Sequence, residues 1–265
     1  MKTLVLKASP RKGGNTATLA DRFVAGLRDG GEGDIVEFSL HDLALRPCQA
    51  CNACLRPPYS GCALDDNYQR IYPIFRDADL VVLAAPVYWW HLCAQAKTFV
   101  DRWHSALTFD RDHCLARKRF VLLVAYFAED PYGVDLVERM FESIAGWCGA
   151  GLDVVRYHSA DRHVREVPEK LAEAYELGRS LAGWAPPALA VQCPLERCRM
   201  AFAGDEALAL HLVMAAGDDH LAWKREHLSE VHTIANTAAL VGETLAVLRR
   251  APGKANAGLR HPKTR

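Results

Sequence analysis

Apolar residues along the chain fall into short dense runs that alternate with longer stretches of helical spacing. The runs Thr3–Ala8, Asp34–Ser39, Leu80–Ala85, Phe120–Tyr126 and Leu152–His158 are rich in Val, Leu and Phe and predict five strands. Apolar positions three and four apart predict helices over about Thr16–Arg28, Asp65–Arg76, Ala94–Ser105, Val134–Trp147 and Pro168–Leu181. Strands apolar on both faces, each followed by a helix, predict an α/β fold: a five-stranded parallel sheet in a three-layer sandwich. Ala185-Pro186-Pro187 breaks the alternation and separates a domain at 1–185 from a mainly helical appendage at 188–250. The appendage carries a Cys pair, several His and a long helical pattern through His232–Leu248. From Arg249 to Arg265 there are six Lys/Arg and no acid, so 251–265 is expected to be a disordered basic tail.

Charge and cysteine usage narrow the function class. The 32 basic and 32 acidic side chains cancel, which argues against a general polyanion binder, so nucleic acid is not an expected partner. Only a few apolar residues follow Met1-Lys2, too few for a secretory signal, and no run approaches the roughly 20 apolar residues of a membrane span. The expectation is a cytoplasmic protein with no membrane partner. Nine cysteines in a reducing compartment point to metal or redox chemistry rather than disulfides. Cys93, Cys114 and Cys148 stand alone and read as small buried apolar residues.

The first predicted strand runs straight into Ser9-Pro10-Arg11-Lys12-Gly13-Gly14-Asn15-Thr16, and a helix starts at about Asn15. That arrangement sets an anion against unpartnered N–H groups at the positive end of a helix dipole. Gly13 and Gly14 let the backbone curve around the anion, Ser9, Asn15 and Thr16 add short donors, and Arg11 or Lys12 adds charge. The dinucleotide and triphosphate glycine motifs are both missing here. The bland alternative is a turn with an Asn/Thr helix cap. Ala85-Pro86-Val87-Tyr88-Trp89-Trp90 follows the third strand, at the end where open α/β sheets bind ligands. Three consecutive aromatics cannot share one face of a strand, so at least one is expected in a loop. The loop Tyr126–Gly133 after the fourth strand is expected to line the same pocket.

Taken together, these two segments and Lys97-Thr-Phe-Val-Asp101-Arg102 resemble the flavodoxin-like NAD(P)H-dependent FMN reductases and their relatives, the iron–sulfur flavoproteins. The resemblance covers about Met1–Ala185. It implies noncovalent FMN, with phosphate contacts from Ser9, Arg11, Lys12, Gly14, Asn15 and Thr16 and the flavin ring near Pro86, Val87, Tyr88, Trp89 and Tyr126. It also implies a homodimer or homotetramer that takes hydride from NADH or NADPH and passes electrons to a small-molecule acceptor: a quinone, flavin, nitro compound or metal. The flavin performs that chemistry, so no general acid or base is assigned.

Cys48-x2-Cys51-x2-Cys54-x7-Cys62 has the spacing of a cluster-binding loop, since three thiolates at x2 intervals can grip three irons of one cubane. It fits the cysteine motif of the iron–sulfur flavoproteins and implies a [4Fe-4S] relay and an electron-carrier role as the alternative function. A plain thiol loop near the flavin and a zinc site are the other two readings. In the appendage, Cys193-x4-Cys198-x3-Phe202-x5-Leu208-x2-His211 resembles a C2H2 zinc finger, including its two apolar core positions. The pattern departs after His211: the next histidine, His220, follows eight residues later, and Gly217 is placed to end the helix and let it fold back. His227 and His232 are weaker ligand candidates, and the bland alternative is a helical appendage with incidental Cys and His. The helix expected at Asp205–Ala216 has no Arg or Lys, so a structural or protein-contact role is preferred over DNA reading, with a redox-sensing regulator as a further alternative.

Overall fold

The computed structural model describes residues 1–56, 61–107, 115–127, 131, 133–160, 162–195, 198, 200–215, 218–233 and 236–250. The expected tail at 251–265, Gly217, Cys114 and part of the loop after Tyr126 therefore lie outside the described residues. The chain divides into two compact units. The first holds the described residues of Met1–Asp110, Lys118–Glu142 and Gly151–Pro186; the second holds Ser143–Ala150, the described residues from Pro187 onward, and the described part of Arg111–Arg117.

The first unit is built on β1 (Thr3–Lys7), α1 (Asn15–Asp29), β2 (Ile35–Ser39), α2 (Tyr68–Asp77), β3 (Leu80–Tyr88), β4 (His91–Leu92), α3 (Ala94–Asp101), α4 (His104–Leu107), β5 (Arg119–Tyr126), the start of α5 (Val134–Cys148), β6 (Gly151–His158) and α6 (Pro168–Leu181). The main strands lie in the order β2-β1-β3-β5-β6, all parallel, and β4 pairs back antiparallel on β3. The chain steps outward from β1 to β2 and then crosses to β3, so the strand order reverses between β1 and β3.

Alternate residues of each strand serve opposite faces. Val5, Val82, Ala84, Val121, Leu123, Val155 and Tyr157 pack with Leu19, Phe23, Leu27, Ala174 and Leu181 of α1 and α6. On aromatic contacts the other helices meet Phe120: Trp103 stacks on it at 5.1 Å, with Phe75 5.1 Å and Phe141 6.1 Å from Trp103. Helices α1 and α6 approach through glycine. A Cβ on Gly26 would sit 2.0 Å from the Tyr175 carbonyl oxygen, and one on Gly178 2.1 Å from that of Phe23.

Three boundaries in this unit differ from the sequence expectation by three residues or more. Helix α2 begins at Tyr68 rather than Asp65, because Asp66 accepts hydrogen bonds from the Arg46 and Tyr68 amides and Asn67 accepts one from Ala44. The single helix expected over Ala94–Ser105 ends at Asp101, where Arg102 and Trp103 turn back on Phe99 and Val100. Strand β3 runs past Ala85 to Tyr88 because β4 folds onto it, pairing Val87 with Leu92 and Tyr88 with His91.

In the second unit, β7 (Val191–Gln192) and β8 (Ala201–Phe202) form an antiparallel pair, followed by α7 (Asp205–Met214), α8 (Asp218–His227) and α9 (Thr237–Arg250). Phe202, Leu208 and Leu212 are fully buried in its small core with Cys193. Among the described residues, no helix is long and apolar enough to cross a membrane.

Candidate functional site

The loop Ser9–Thr16 leaves β1 at its carboxyl end, at the reversal of strand order, and delivers the chain into α1. Gly14 is the N-cap residue in extended conformation and makes no side-chain cap, so the first-turn amides of α1 have no acceptor from that source. The Arg11 amide donates to Ser9 Oγ (3.1 Å) and the Gly14 amide to the Arg11 carbonyl (2.9 Å), which curls the loop into a cup. A Cβ on Gly14 would meet the Arg11 carbonyl oxygen at 3.1 Å, so a side chain there would crowd the cup. No acid occupies the first turn of α1. These features suit a dianionic phosphate.

The predicted loop residues are not equivalent. Ser9 lines the cup, Thr16 is buried at its base and Arg11 is exposed. Lys12 turns outward to Asp42 (3.2 Å), whose carboxyl is held below its ordinary range chiefly by that hydrogen bond. Asn15 accepts a hydrogen bond from the Val164 amide through Oδ1 (2.9 Å). The sequence reading missed a brace from the loop after β6. The Arg165 amide donates to His163 Nδ1 (3.1 Å), so His163 Nε2 carries the proton and donates to the Gly13 carbonyl (2.9 Å). The Arg165 guanidinium also approaches Gly13, where a Cβ would lie 3.3 Å from its Nη2. No sequence signal marks these partners, which lie about 150 residues from the loop they hold.

At the carboxyl ends of β3 and β5, Pro86 pairs with Ala125 and the chain then turns at Trp89-Trp90. Both tryptophans are left-handed, with φ of 48° and 59°. Two positive-φ residues at the tip of a two-residue hairpin are the geometry that Asn-Gly ordinarily fills, and bulky residues there store strain. Trp89 is 88% exposed, and Tyr88, Trp90 and Phe127 are also exposed at this end of the sheet. Val87 is half-buried, whereas Tyr126 is buried and stacks on His158 at 5.2 Å.

The loop Cys48–Cys62 is pinned at both ends by Asp66. Its carboxylate accepts from the Arg46 amide and from Arg102 Nη1 at 2.6 and 2.8 Å, and Arg102 Nη2 reaches Cys62 Sγ at 3.2 Å. Burial alone would raise the Asp66 pKa; the hydrogen bonds from Arg102, Arg46 and Tyr68 hold it below the usual carboxylate range. Cys48 and Cys51 are exposed, and Ala50 and Asn52 beside Cys51 are left-handed. Among the described residues, the thiols of Cys48, Cys51, Cys54 and Cys62 do not converge on one point. Burial raises the Cys54 thiol pKa, and the neighbouring cysteines add to the shift.

One side-chain group does converge. The ligand atoms of Cys193, Cys198, His211 and His220 lie within 4.8 Å of one another. His211 sits on α7, and His220 comes from the first turn of α8 rather than from the same helix. His227 bonds to the Trp223 carbonyl and His232 to Thr237, so both are otherwise engaged. The lone cysteines Cys93 and Cys148 are fully buried.

The family model described as "Flavodoxin-like fold" matches residues 1–177. Over 123 residues the chain is 36% identical to an iron–sulfur flavoprotein of Methanosarcina thermophila, covering 46% of this chain and 58% of that one. Over 155 residues it is 29% identical to a provisionally named NAD(P)H-dependent FMN-containing oxidoreductase, YwqN, of Bacillus subtilis (strain 168), covering 56% of this chain and 80% of that one. The chain spans about half the length of the curated iron–sulfur flavoproteins that it matches. Among solved structures, an FMN-dependent NADH-azoreductase from Bacillus anthracis str. Ames Ancestor in complex with FMN superimposes with a TM-score of 0.52 at 15% identity, over 69% of this chain and 100% of that one, a likeness of fold. With the strand order β2-β1-β3-β5-β6 and a family match over 1–177, the chain belongs to the flavodoxin-like fold family.

Proposed function

We propose that the chain is an FMN-dependent NAD(P)H oxidoreductase that delivers electrons to a small organic or metal acceptor, such as a quinone, flavin or nitro compound. The observation that carries this reading is the uncapped, acid-free cup Ser9–Thr16 at the reversal of strand order, where doubly wound sheets take their ligands. FMN, when bound, supplies the chemistry, accepting hydride from reduced nicotinamide and releasing electrons to the acceptor. The chain's own residues bind and orient it. The first-turn amides of α1, Ser9 and Thr16 would hold the phosphate, with Arg11 and Arg165 supplying charge. Pro86, Val87, Tyr88 and the Trp89-Trp90 turn would border the ring. The names of the Bacillus subtilis relative and of the FMN-complexed azoreductase agree with this reading. Exposed Trp89 and Phe127 suit a homodimer or homotetramer whose partner covers this end of the sheet.

The binding test is an FMN titration of the full chain against Ser9→Ala/Thr16→Val. The double variant should lose about tenfold or more in affinity, the worth of one to two hydrogen bonds to a charged group, with unchanged circular dichroism. Equal affinity in wild type and variant contradicts the assignment.

A second reading, an iron–sulfur electron carrier, rests on Cys48–Cys62. The left-handed Ala50 and Asn52 on either side of Cys51 are backbone conformations of the kind that gather at functional sites, and the Methanosarcina relative is named an iron–sulfur flavoprotein. Iron and sulfide in anaerobically purified protein would favour this reading. Stoichiometric FMN without iron leaves the first.

A further inference from the structure

We propose that Cys193, Cys198, His211 and His220 hold one zinc ion in a closed structural site that organises the second unit, a site independent of flavin chemistry. The first argument is metric. For Zn–S of about 2.3 Å and Zn–N of about 2.0–2.1 Å, a tetrahedral ion separates S from N by about 3.6 Å and N from N by about 3.3 Å. Here Cys198 Sγ lies 3.3 Å from His211 Nε2, and Cys193 Sγ lies 3.7 Å from His220 Nε2. The two Nε2 atoms are 2.9 Å apart and all four ligand atoms lie within 4.8 Å of one another, so side-chain shifts of up to about 1 Å complete the tetrahedron.

The second argument is chemical. His211 Nδ1 faces the Trp147 carbonyl at 3.0 Å. A proton on Nδ1 donated there leaves the Nε2 lone pair aimed into the group, as outer-shell carbonyls arrange for metal-bound histidines. His211 is 1% and His220 8% exposed, so two imidazole nitrogens and two sulfurs meet where water cannot separate them. A divalent ion at the centre of this buried group would take one lone pair from each of the four atoms.

The fold supplies the frame. The Cys193 amide bonds to the Met200 carbonyl and the Cys198 amide to that of Leu195, forming a knuckle between β7 and β8. Helix α7 follows and carries His211. Ala215 leaves helical geometry, with ψ of 140°, and α8 restarts at Asp218 with His220 in its first turn. The cluster beside the group is Cys193, Phe202, Leu208 and Leu212 with seven half-buried neighbours, and a metal would add its binding energy to the folding of this unit. Four protein ligands leave no open position for substrate, which marks a structural rather than a catalytic ion. A two-iron centre with two His and two Cys puts the nitrogens on one iron and the sulfurs on the other. In this group each sulfur is in direct reach of a nitrogen, which fits a single ion.

The test uses the full chain purified without chelator and then exchanged into Co2+. The expected result is about one zinc per chain, visible absorption bands of tetrahedral Co2+ with sulfur-to-metal charge transfer, and loss of both in Cys198→Ser and His220→Ala. A Cys48→Ser/Cys51→Ser chain should keep its metal. The variant His220→Cys guards against misfolding: it should stay loaded and gain charge-transfer intensity from a third thiolate. Any of three outcomes overturns the proposal: less than about 0.2 metal per chain after zinc loading, an unchanged cobalt spectrum in His220→Cys, or metal lost only in Cys48→Ser/Cys51→Ser.

Discussion

Arg102 Nη1 lies 2.6 Å from Asp66 Oδ2, with the arginine side chain fully buried and the aspartate nearly so. The guanidinium also covers the Tyr68 ring, with Cζ 4.0 Å from its centroid, and hydrogen-bonds the Arg46 carbonyl and Cys62 Sγ. One buried cation thus ties the start of the cysteine loop, its last thiol and the first turn of α2 together. Removing one partner of such a pair strands the other charge. Arg102→Ala should cost about 3–5 kcal/mol in urea unfolding, while Arg76→Ala on the surface should cost less than about 0.5 kcal/mol.

The same pair sets a pH dependence. The Asp66 pKa is lowered in the folded chain, so its contribution is fully present above the unfolded value of about 3.9 and is lost as pH falls through the folded value. Wild type should therefore lose stability below about pH 4 more steeply than Asp66→Asn. Parallel unfolding curves for the two proteins from pH 6 to pH 3 would contradict the pairing.

The glycine contact between α1 and α6 makes a separate stability prediction. Gly26→Ala and Gly178→Ala each place a methyl against a backbone carbonyl, and should destabilise by at least about 1–3 kcal/mol. Gly33 has nothing within 4 Å of its Cβ position, so Gly33→Ala should be neutral or slightly stabilising. Thermal melts of the three variants check the contrast.

The strained Trp89-Trp90 turn should show a trade of stability for binding. Replacing it with Asn-Gly relieves left-handed strain worth about 1–2 kcal/mol per residue. The Trp89→Asn/Trp90→Gly chain should melt higher and bind FMN more weakly. A higher melting temperature with unchanged FMN affinity would remove these residues from the flavin site.

The His163 brace predicts an effect without contact to the ligand. His163→Ala frees the Gly13 carbonyl and loosens the cup; FMN affinity should fall about two- to tenfold, the worth of one hydrogen bond. Arg165→Ala should weaken FMN more at low salt than at high salt, because its effect is electrostatic.

The strands were legible because a sheet covered on both faces needs continuous apolar runs, and Leu80–Ala85 and Phe120–Tyr126 are such runs. Helix α6 was legible at both ends, with Pro168 starting it and the apolar spacing stopping at Leu181. The break after Asp101 was not, because Arg102 is a good helix former pulled out of the helix by Asp66, 36 residues away. The β3–β4 hairpin was hidden because Trp-Trp carries no turn signature. In the cup, Ser9, Gly14 and Thr16 were readable from local spacing, whereas His163 and Val164 reach it only through tertiary structure. In the second unit the finger-like spacing named Cys193, Cys198 and His211, and the fold-back expected after His211 named His220, which joins them from a separate helix.

The most direct test of the flavin account is an anaerobic titration of the FMN-loaded full chain with NADH and, separately, NADPH, followed through the flavin absorbance. The account predicts that at least one of the two bleaches bound FMN stoichiometrically and that adding a quinone restores the oxidised spectrum. Failure to retain FMN, or bound FMN that neither nucleotide reduces, would contradict it.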